Sequence, residues 1–289
     1  MINKFEINKL AAEKRVRTST IDKDWVLGHF IDAIFSIPDC RENLVFKGGT
    51  CLKKCRFADY RFSEDLDFTS RNNAFVFDMP MLEKIVSLVT NRTEMPLHIQ
   101  SIESLYFNNF LTGYSARVGY WGADHRKDQY LPEPVRWLTN IKIEIILYEI
   151  LCFEVDKETV YHPYTDKLTD NARNIPIYSI HEVLAEKIRS IIQRSYTAPR
   201  DYYDIWYLSN YISTIDWQSV VNAFYTKAKY KGLSFTGVEQ LINTQNDRIL
   251  KAAWKNSLEY QVAFGNLPDY DTVREYLLTL FTKIFRPTK

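Results

Sequence analysis

The chain lacks the means to be several things. Its 289 residues contain four cysteines, Cys40, Cys51, Cys55 and Cys152, too few and too scattered for a disulfide framework, which fits a reducing compartment. No apolar run approaches the roughly 20 residues of a membrane-spanning helix, and no membrane partner is expected. The opening MINKFEINKLAAEKRVRTST is polar and charged throughout, without the apolar core of a leader. A soluble cytoplasmic protein is the expectation. Net charge is +1, so any nucleic-acid contact would need a local basic patch. Cys51 and Cys55 form one close pair, but structural zinc takes four Cys or His ligands. No second pair is present, and His29, His98, His125, His162 and His181 are scattered. The P-loop pattern G-x-x-x-x-G-K-[ST] is absent, which argues against a Walker-type ATPase. There is no internal repeat and no low-complexity tract.

What is present is ordinary in bulk: 46% hydrophobic and 25% charged residues. The 15% aromatic content reads as core filling within amphipathic segments. Leu27, Phe30, Ile31, Ile34 and Phe35 recur at helical spacing over residues 22–36. ENLVFKGG reads as a strand ending in a turn, and RFSEDLDFTS alternates, with Phe62, Leu66 and Phe68 on one face and Ser63, Asp65 and Asp67 on the other. Glu64 falls on the apolar face, an unexplained exception. A helix follows over 78–92. PLHIQSI, YSARVGYWG and NIKIEIILYE then read as strands of a mostly antiparallel sheet, with 123–137 as a polar loop or hairpin tip. Ser179 and Glu182 stand at capping-box spacing before the stripe Val183, Leu184, Ile188, Ile191 and Ile192. PRDYYDIWYLSNYI and DTVREYLLTLFTKIF follow as helices. The class is α+β: a mixed or antiparallel sheet with flanking helices over 1–165, then a helical region over 166–289.

Two stretches carry chemistry. Residues two apart on a strand project to one face about 7 Å apart, so Asp65 and Asp67 present two carboxylates that repel unless a cation joins them. Hard divalent ions bind through one or two carboxylates plus substrate phosphates. IKIEIIL supplies a third carboxylate, Glu144, on the polar face opposite Ile141, Ile143 and Ile145; the plainer reading is a strand with one wet face. The turn KGGT follows a strand directly. Its glycines allow close backbone approach, its amides can cradle phosphate oxygens, Thr50 adds a hydroxyl, and Lys53 or Lys54 is available to neutralise charge.

Strand, Gly-Gly turn, short helix and a strand bearing D-x-D resemble the DNA polymerase β-type nucleotidyltransferase signature. FKGGTCLKK with RFSEDLDF, and downstream VLAEKIRSIIQR with RDYYDIWYL, are similar to the AbiEii/AbiGii-type (MenT-like) toxin nucleotidyltransferases of bacterial toxin–antitoxin systems. The resemblance implies metal-dependent transfer of a nucleotide from an NTP to an acceptor, the 3′ end of tRNA in better-understood members, with growth arrest and a cognate antitoxin encoded nearby. It implies that Gly48, Gly49 and Thr50 line the triphosphate and that Asp65 and Asp67 hold Mg²⁺ or Mn²⁺; of the two lysines after the turn, Lys53 is taken as a nucleotide-binding residue. It further implies that Glu144 fills the third-carboxylate position, that Lys187 is the functional lysine, and that Asp204, or Asp201, is the late aspartate. The helical region would then complete the active-site cleft. Two departures stand out: the stretch between Gly49 and Asp65 is longer than usual in the superfamily, which requires an extended helix or turn, and Cys51 occupies a position more often small or hydroxylic. For Lys187, Asp201 and Asp204 the residues alone also allow a helix-face salt bridge; Arg194 and Arg200 nearby are either phosphate contacts or solvated. The competing reading of the whole chain is an NTP-binding or regulatory module without turnover.

Overall fold

The computed structural model describes residues 2–125 and 130–286. The chain forms two compact units, one of residues 1–148 with 155–177 and the other of residues 149–154 with 178–289.

The first unit opens with α1 (Lys4–Lys14), capped by the Asn3 side chain, and α2 (Thr18–Phe35). Every α2 residue from Asp24 onward is buried, and its interior carboxylates are paired, Asp24 with Lys54 and Asp32 with Arg92. A short α3 (Pro38–Asn43) leads into β1 (Leu44–Lys47), then α4 (Gly48–Cys51), which continues as one π-helical turn over Leu52–Arg56. That turn and the irregular residues 57–64 take up the long spacing before β2 (Asp65–Ser70). Helix α5 (Met79–Thr93) buries Leu82, Ile85 and Val89 and is tied to α2 by Arg92 and Asp32 at 3.0 Å. The strands β3 (Leu97–Phe107), β4 (Phe110–Tyr120) and β5 (Asn140–Ile146) form a meander. Residues 126–129 of its second connection lie outside the described residues. Two three-residue strands, β6 (Asp156–Glu158) and β7 (Ile175–Ile177), complete a seven-stranded sheet of order β3-β4-β5-β2-β1-β7-β6.

The sheet is mixed. β2 runs parallel to β5 and β1 parallel to β7, while the other ladders are antiparallel. One face packs on the α2 core through Phe46, Leu66, Phe68, Ile141, Ile143 and Ile145, the period-two pattern expected of half-buried strands. The alternation seen from Arg61 becomes regular strand only at Asp65. Glu64 precedes the strand, is exposed, and meets Lys23 at 3.2 Å, which removes the anomaly of a carboxylate on the apolar face.

Asp22 is buried on α2, where its carboxylate accepts the Ala123 amide at 2.7 Å and packs where a side chain on Gly122 would stand. Burial, with Asp124 adding, pushes its pKa up to about 7 against the opposing pull of the Ala123 hydrogen bond. The folded carboxyl thus holds its proton to higher pH than the unfolded one, and stability falls as pH rises from about 4 through 7. Asp22→Asn, which keeps the oxygen acceptor, is expected to raise stability at pH 8 by on the order of 2–4 kcal/mol and to leave it unchanged at pH 4. Urea titrations at the two pH values check this; equal gains at both would refute it.

The second unit is helical: α6 (Ile180–Gln193), α7 (Pro199–Tyr211), α8 (Trp217–Tyr230), α9 (Thr244–Leu258) and α10 (Tyr270–Ile284). Ser179 caps α6 by accepting the Glu182 amide at 3.2 Å. Glu182 does not close the reciprocal half of a capping box. Its carboxylate instead accepts the Cys152 and Phe153 amides, both at 2.9 Å, and pairs with buried Lys227 at 2.5 Å. Glu149 joins the same network through Arg189 at 2.9 Å and Lys227 at 3.4 Å. These contacts hold residues 149–154 in the helical unit. Among the described residues, no helix is long and apolar enough to cross a membrane.

Candidate active site

The sheet brings the D-x-D aspartates and Glu144 onto one surface through register. On β2, Asp67 stands opposite Lys47 of β1 on one side and Glu144 of β5 on the other; Ser115 of β4 continues the row. One pair of residues along, Asp65 stands opposite Lys142, which faces Arg117. Directly opposed residues in a sheet hold their Cβ atoms about 5 Å apart, so three carboxylates and two lysines share a small area. Lys142 forms an ion pair with Glu144. The oxygens of Asp65, Asp67 and Glu144 do not all lie within 4.8 Å of one another, in keeping with the pull of Lys142 on Glu144.

This crowding shows in the acidity of Asp67. Burial first, then the charges of Asp65 and Glu144, raise its pKa to about 6, against the opposing effect of Lys47 and Lys142. On Lys142, burial works to lower the pKa, but the Glu144 hydrogen bond and the nearby aspartates outweigh it and the net direction is up. A buried carboxylate that resists ionisation beside two others is what a hard divalent cation relieves. The oxygen donor set and the raised Asp67 therefore fit such an ion.

The glycine turn closes against these residues. Gly48 has φ +80°, and a Cβ there would overlap the Asp67 carboxylate. A Cβ on Gly49 would meet the Arg61 guanidinium at 2.8 Å and the Ser63 hydroxyl at 2.9 Å. Thr50 is buried and donates its hydroxyl to the Asp65 carbonyl at 2.6 Å, which ties the start of α4 to the start of β2. Lys53 and Lys54 both turn inward. The Lys53 ammonium donates to the Ala58 carbonyl and lies 4.3 Å from the Phe62 ring centre, with burial lowering its pKa to about 8. Lys54 is fully buried against Asp24 at 2.8 Å. The basic side chains that border the carboxylates and the turn are Lys47, Lys142 and Arg61. Lys142 was placed on the face of Glu144 by the alternation of its strand, but none of the three was assigned to the site from sequence, although Lys47 directly precedes the glycines. Its relevance follows from the β1–β2 register, which a single sequence does not display.

In the helical unit, Lys187 of α6 meets Asp201 at 3.0 Å and Asp204 at 2.6 Å, both on α7 and both buried. The two aspartates lie one helical turn apart, and Arg194 also pairs with Asp201. Arg200 is exposed. Lys187 is therefore held by both late aspartates together.

A sequence profile described as the nucleotidyl transferase AbiEii toxin of a type IV toxin–antitoxin system matches residues 29–276. No curated protein matches the chain. Among solved structures, MenT4, a nucleotidyltransferase toxin from Mycobacterium tuberculosis H37Rv, aligns over 97% of this chain and 99% of its own, with TM-score 0.57 and 17% identity. A candidate nucleotidyltransferase from H. pylori aligns over 93% of this chain and 96% of its own, with TM-score 0.51 and 14% identity. At such identities the likeness is one of fold. The profile match spans both units and nearly the whole chain, and on it the protein belongs to the AbiEii nucleotidyltransferase toxin family.

Proposed function

We propose that the chain transfers a nucleotide from an NTP to the 3′ end of tRNA, in the cytoplasm, as the toxin of a toxin–antitoxin pair whose antitoxin is encoded nearby. The observation that carries this is the cross-strand row: Asp67 flanked by Glu144, with Asp65 on the same face and the left-handed Gly48 closed on the Asp67 carboxylate.

In this reading Asp65, Asp67 and Glu144 hold Mg²⁺ or Mn²⁺. When bound, such an ion activates the attacking hydroxyl and stabilises the departing pyrophosphate. The amides of Gly48 and Gly49 take triphosphate oxygens, which glycine permits by allowing close approach. Thr50 acts through the backbone, holding the turn against β2. Lys47 and Arg61, which border the turn and the carboxylates, supply positive charge together with Lys53. Lys187 is a further triphosphate ligand, oriented by Asp201 and Asp204. The acceptor oxygen bonds to the α-phosphorus as the bond to the β-phosphate oxygen breaks.

The test is incubation of purified protein with total tRNA, Mg²⁺ and each α-labelled NTP in turn. Label entering tRNA, absent without Mg²⁺, is the expected result. NTP and Mg²⁺ binding with no labelled RNA would replace the transferase with the binding module.

A further inference from the structure

The five histidines are scattered in sequence, yet the fold brings two of them to one carboxylate. In the first unit, α2 carries Trp25 and His29 toward Asp166, 137 residues beyond His29. His162 approaches the same carboxylate from the segment between β6 and β7. His29 Nε2 lies 3.1 Å from Asp166 Oδ2, and His162 Nε2 lies 3.1 Å from Oδ1. The Trp25 indole N–H faces both oxygens, at 3.0 and 3.2 Å. The histidine side chains are 3% and 5% exposed, that of Asp166 24%. Among the described residues this is the one group of three His, Cys, Asp or Glu whose ligand atoms all lie within 4.8 Å of one another.

We propose that His29, His162 and Asp166 bind a zinc-class divalent ion, at a site separate from the carboxylates of β2 and β5. Two imidazoles with one carboxylate make a borderline donor set that suits Zn²⁺ and disfavours Mg²⁺ and Ca²⁺, which take oxygen ligands. Tetrahedral zinc, with bonds of about 2.0–2.2 Å, sets neighbouring ligand atoms about 3.3 Å apart. The two nitrogen-to-oxygen separations are 3.1 Å, each to a different Asp166 oxygen, and the three ligand atoms lie within 4.8 Å of one another, so a small turn of the carboxylate would let one ion reach all three residues. Trp25 supplies the outer hydrogen bond that orients a ligating carboxylate. The absence of a side chain on Gly28 makes room for His162, since a Cβ there would stand 2.5 Å from its Nδ1. The ion would take Nε2 of both histidines, the atoms that face Asp166; Nδ1 of each is buried on the far side of the ring. The partly exposed Asp166 edge gives access and leaves the fourth position to water. Bound there, the ion would clip the segment before β7 to α2.

The probes are Zn²⁺ and Co²⁺ themselves, on the full chain. Chelator-stripped protein titrated with Co²⁺ should develop the visible absorption of a tetrahedral nitrogen–oxygen site at one ion per chain, displaced by Zn²⁺. Zn²⁺ should also raise the thermal midpoint. His162→Gln, which keeps an N–H for Asp166, should weaken Zn²⁺ binding by about 100-fold or more. Asp67→Asn should leave that affinity unchanged, which separates this site from the nucleotide site. Absence of the Co²⁺ band together with a thermal midpoint indifferent to Zn²⁺ would overturn the proposal and leave a hydrogen-bonded hub. That wild-type measurement decides the matter even if His162→Gln fails to fold.

Discussion

Asp67→Asn is expected to abolish nucleotidyl transfer, by about 10³-fold or more, while making the sheet unit harder to unfold. Both effects have one cause. Burial and the charges of Asp65 and Glu144 raise the Asp67 pKa to about 6, so the folded chain holds an ionised Asp67 at a cost on the order of 1–3 kcal/mol at pH 8. The stabilising contribution of the protonated form is complete below about pH 4 and is lost as pH rises through 6. Asparagine removes the charge at every pH and with it the penalty, so the gain should be seen at pH 8 without Mg²⁺ and should vanish near pH 4. Sites held against their own stability in this way are where function and stability trade against each other. The same competition sets the wild-type pH profile: protons and Mg²⁺ contend for one carboxylate, so the Mg²⁺ needed for half-maximal transfer should rise as pH falls below about 6. Transfer assays and chelator-present melts of both proteins check this. An Asp67→Asn protein that retains transfer would remove Asp67 from the metal ligands.

The second large effect is expected at Gly48. With φ +80°, an alanine there would bear about 1–2 kcal/mol of backbone strain and would also drive its methyl into the Asp67 carboxylate. Gly48→Ala should therefore lower transfer by about 10²-fold or more, because a displaced carboxylate of about 1 Å is enough to cost that much. Gly265 is the matched control. It has φ +86° but nothing within 4 Å of its missing side chain, so Gly265→Ala carries strain without collision. It should lose a similar backbone term in stability and keep full transfer. Equal losses of activity in the two variants would show that the overlap with Asp67 is immaterial.

The fold was legible where local chemistry and tertiary packing agree. The alternation of Ile141, Ile143 and Ile145 with Lys142 and Glu144 appears directly as the burial pattern of β5. Ser179 caps α6 where its spacing indicated. What stayed hidden depends on contacts distant in sequence. β6 and β7 are three residues each, too short for periodicity to register. The mixed or antiparallel sheet expected from sequence is present, but the parallel pairings of β2 with β5 and of β1 with β7 join segments that alternation cannot align in direction. In the site, the common face of Asp65 and Asp67 follows from strand geometry, and Glu144 falls opposite Asp67. Lys53 is buried on the π-helical turn with its ammonium on the Ala58 carbonyl, a placement its local sequence does not signal. His29, His162 and Asp166 gave no local signal at all.

The excursion of residues 149–154 into the helical unit has a consequence for synthesis on the ribosome. The chain leaves the sheet after β5, contributes Glu149 to the helical unit, and returns to lay down β7 before the rest of that unit exists. Glu149 precedes its partner Lys227 by 78 residues, on the order of 4–16 s of translation at about 5–20 residues per second. Another partner, Arg189, follows Glu149 by 40 residues, so until α6 is made the carboxylate stays in water, and its pairing is not complete before Lys227. The sheet unit can close as soon as β7 emerges, but the stretch that leads out of β5 finds its final place only when α8 has been made.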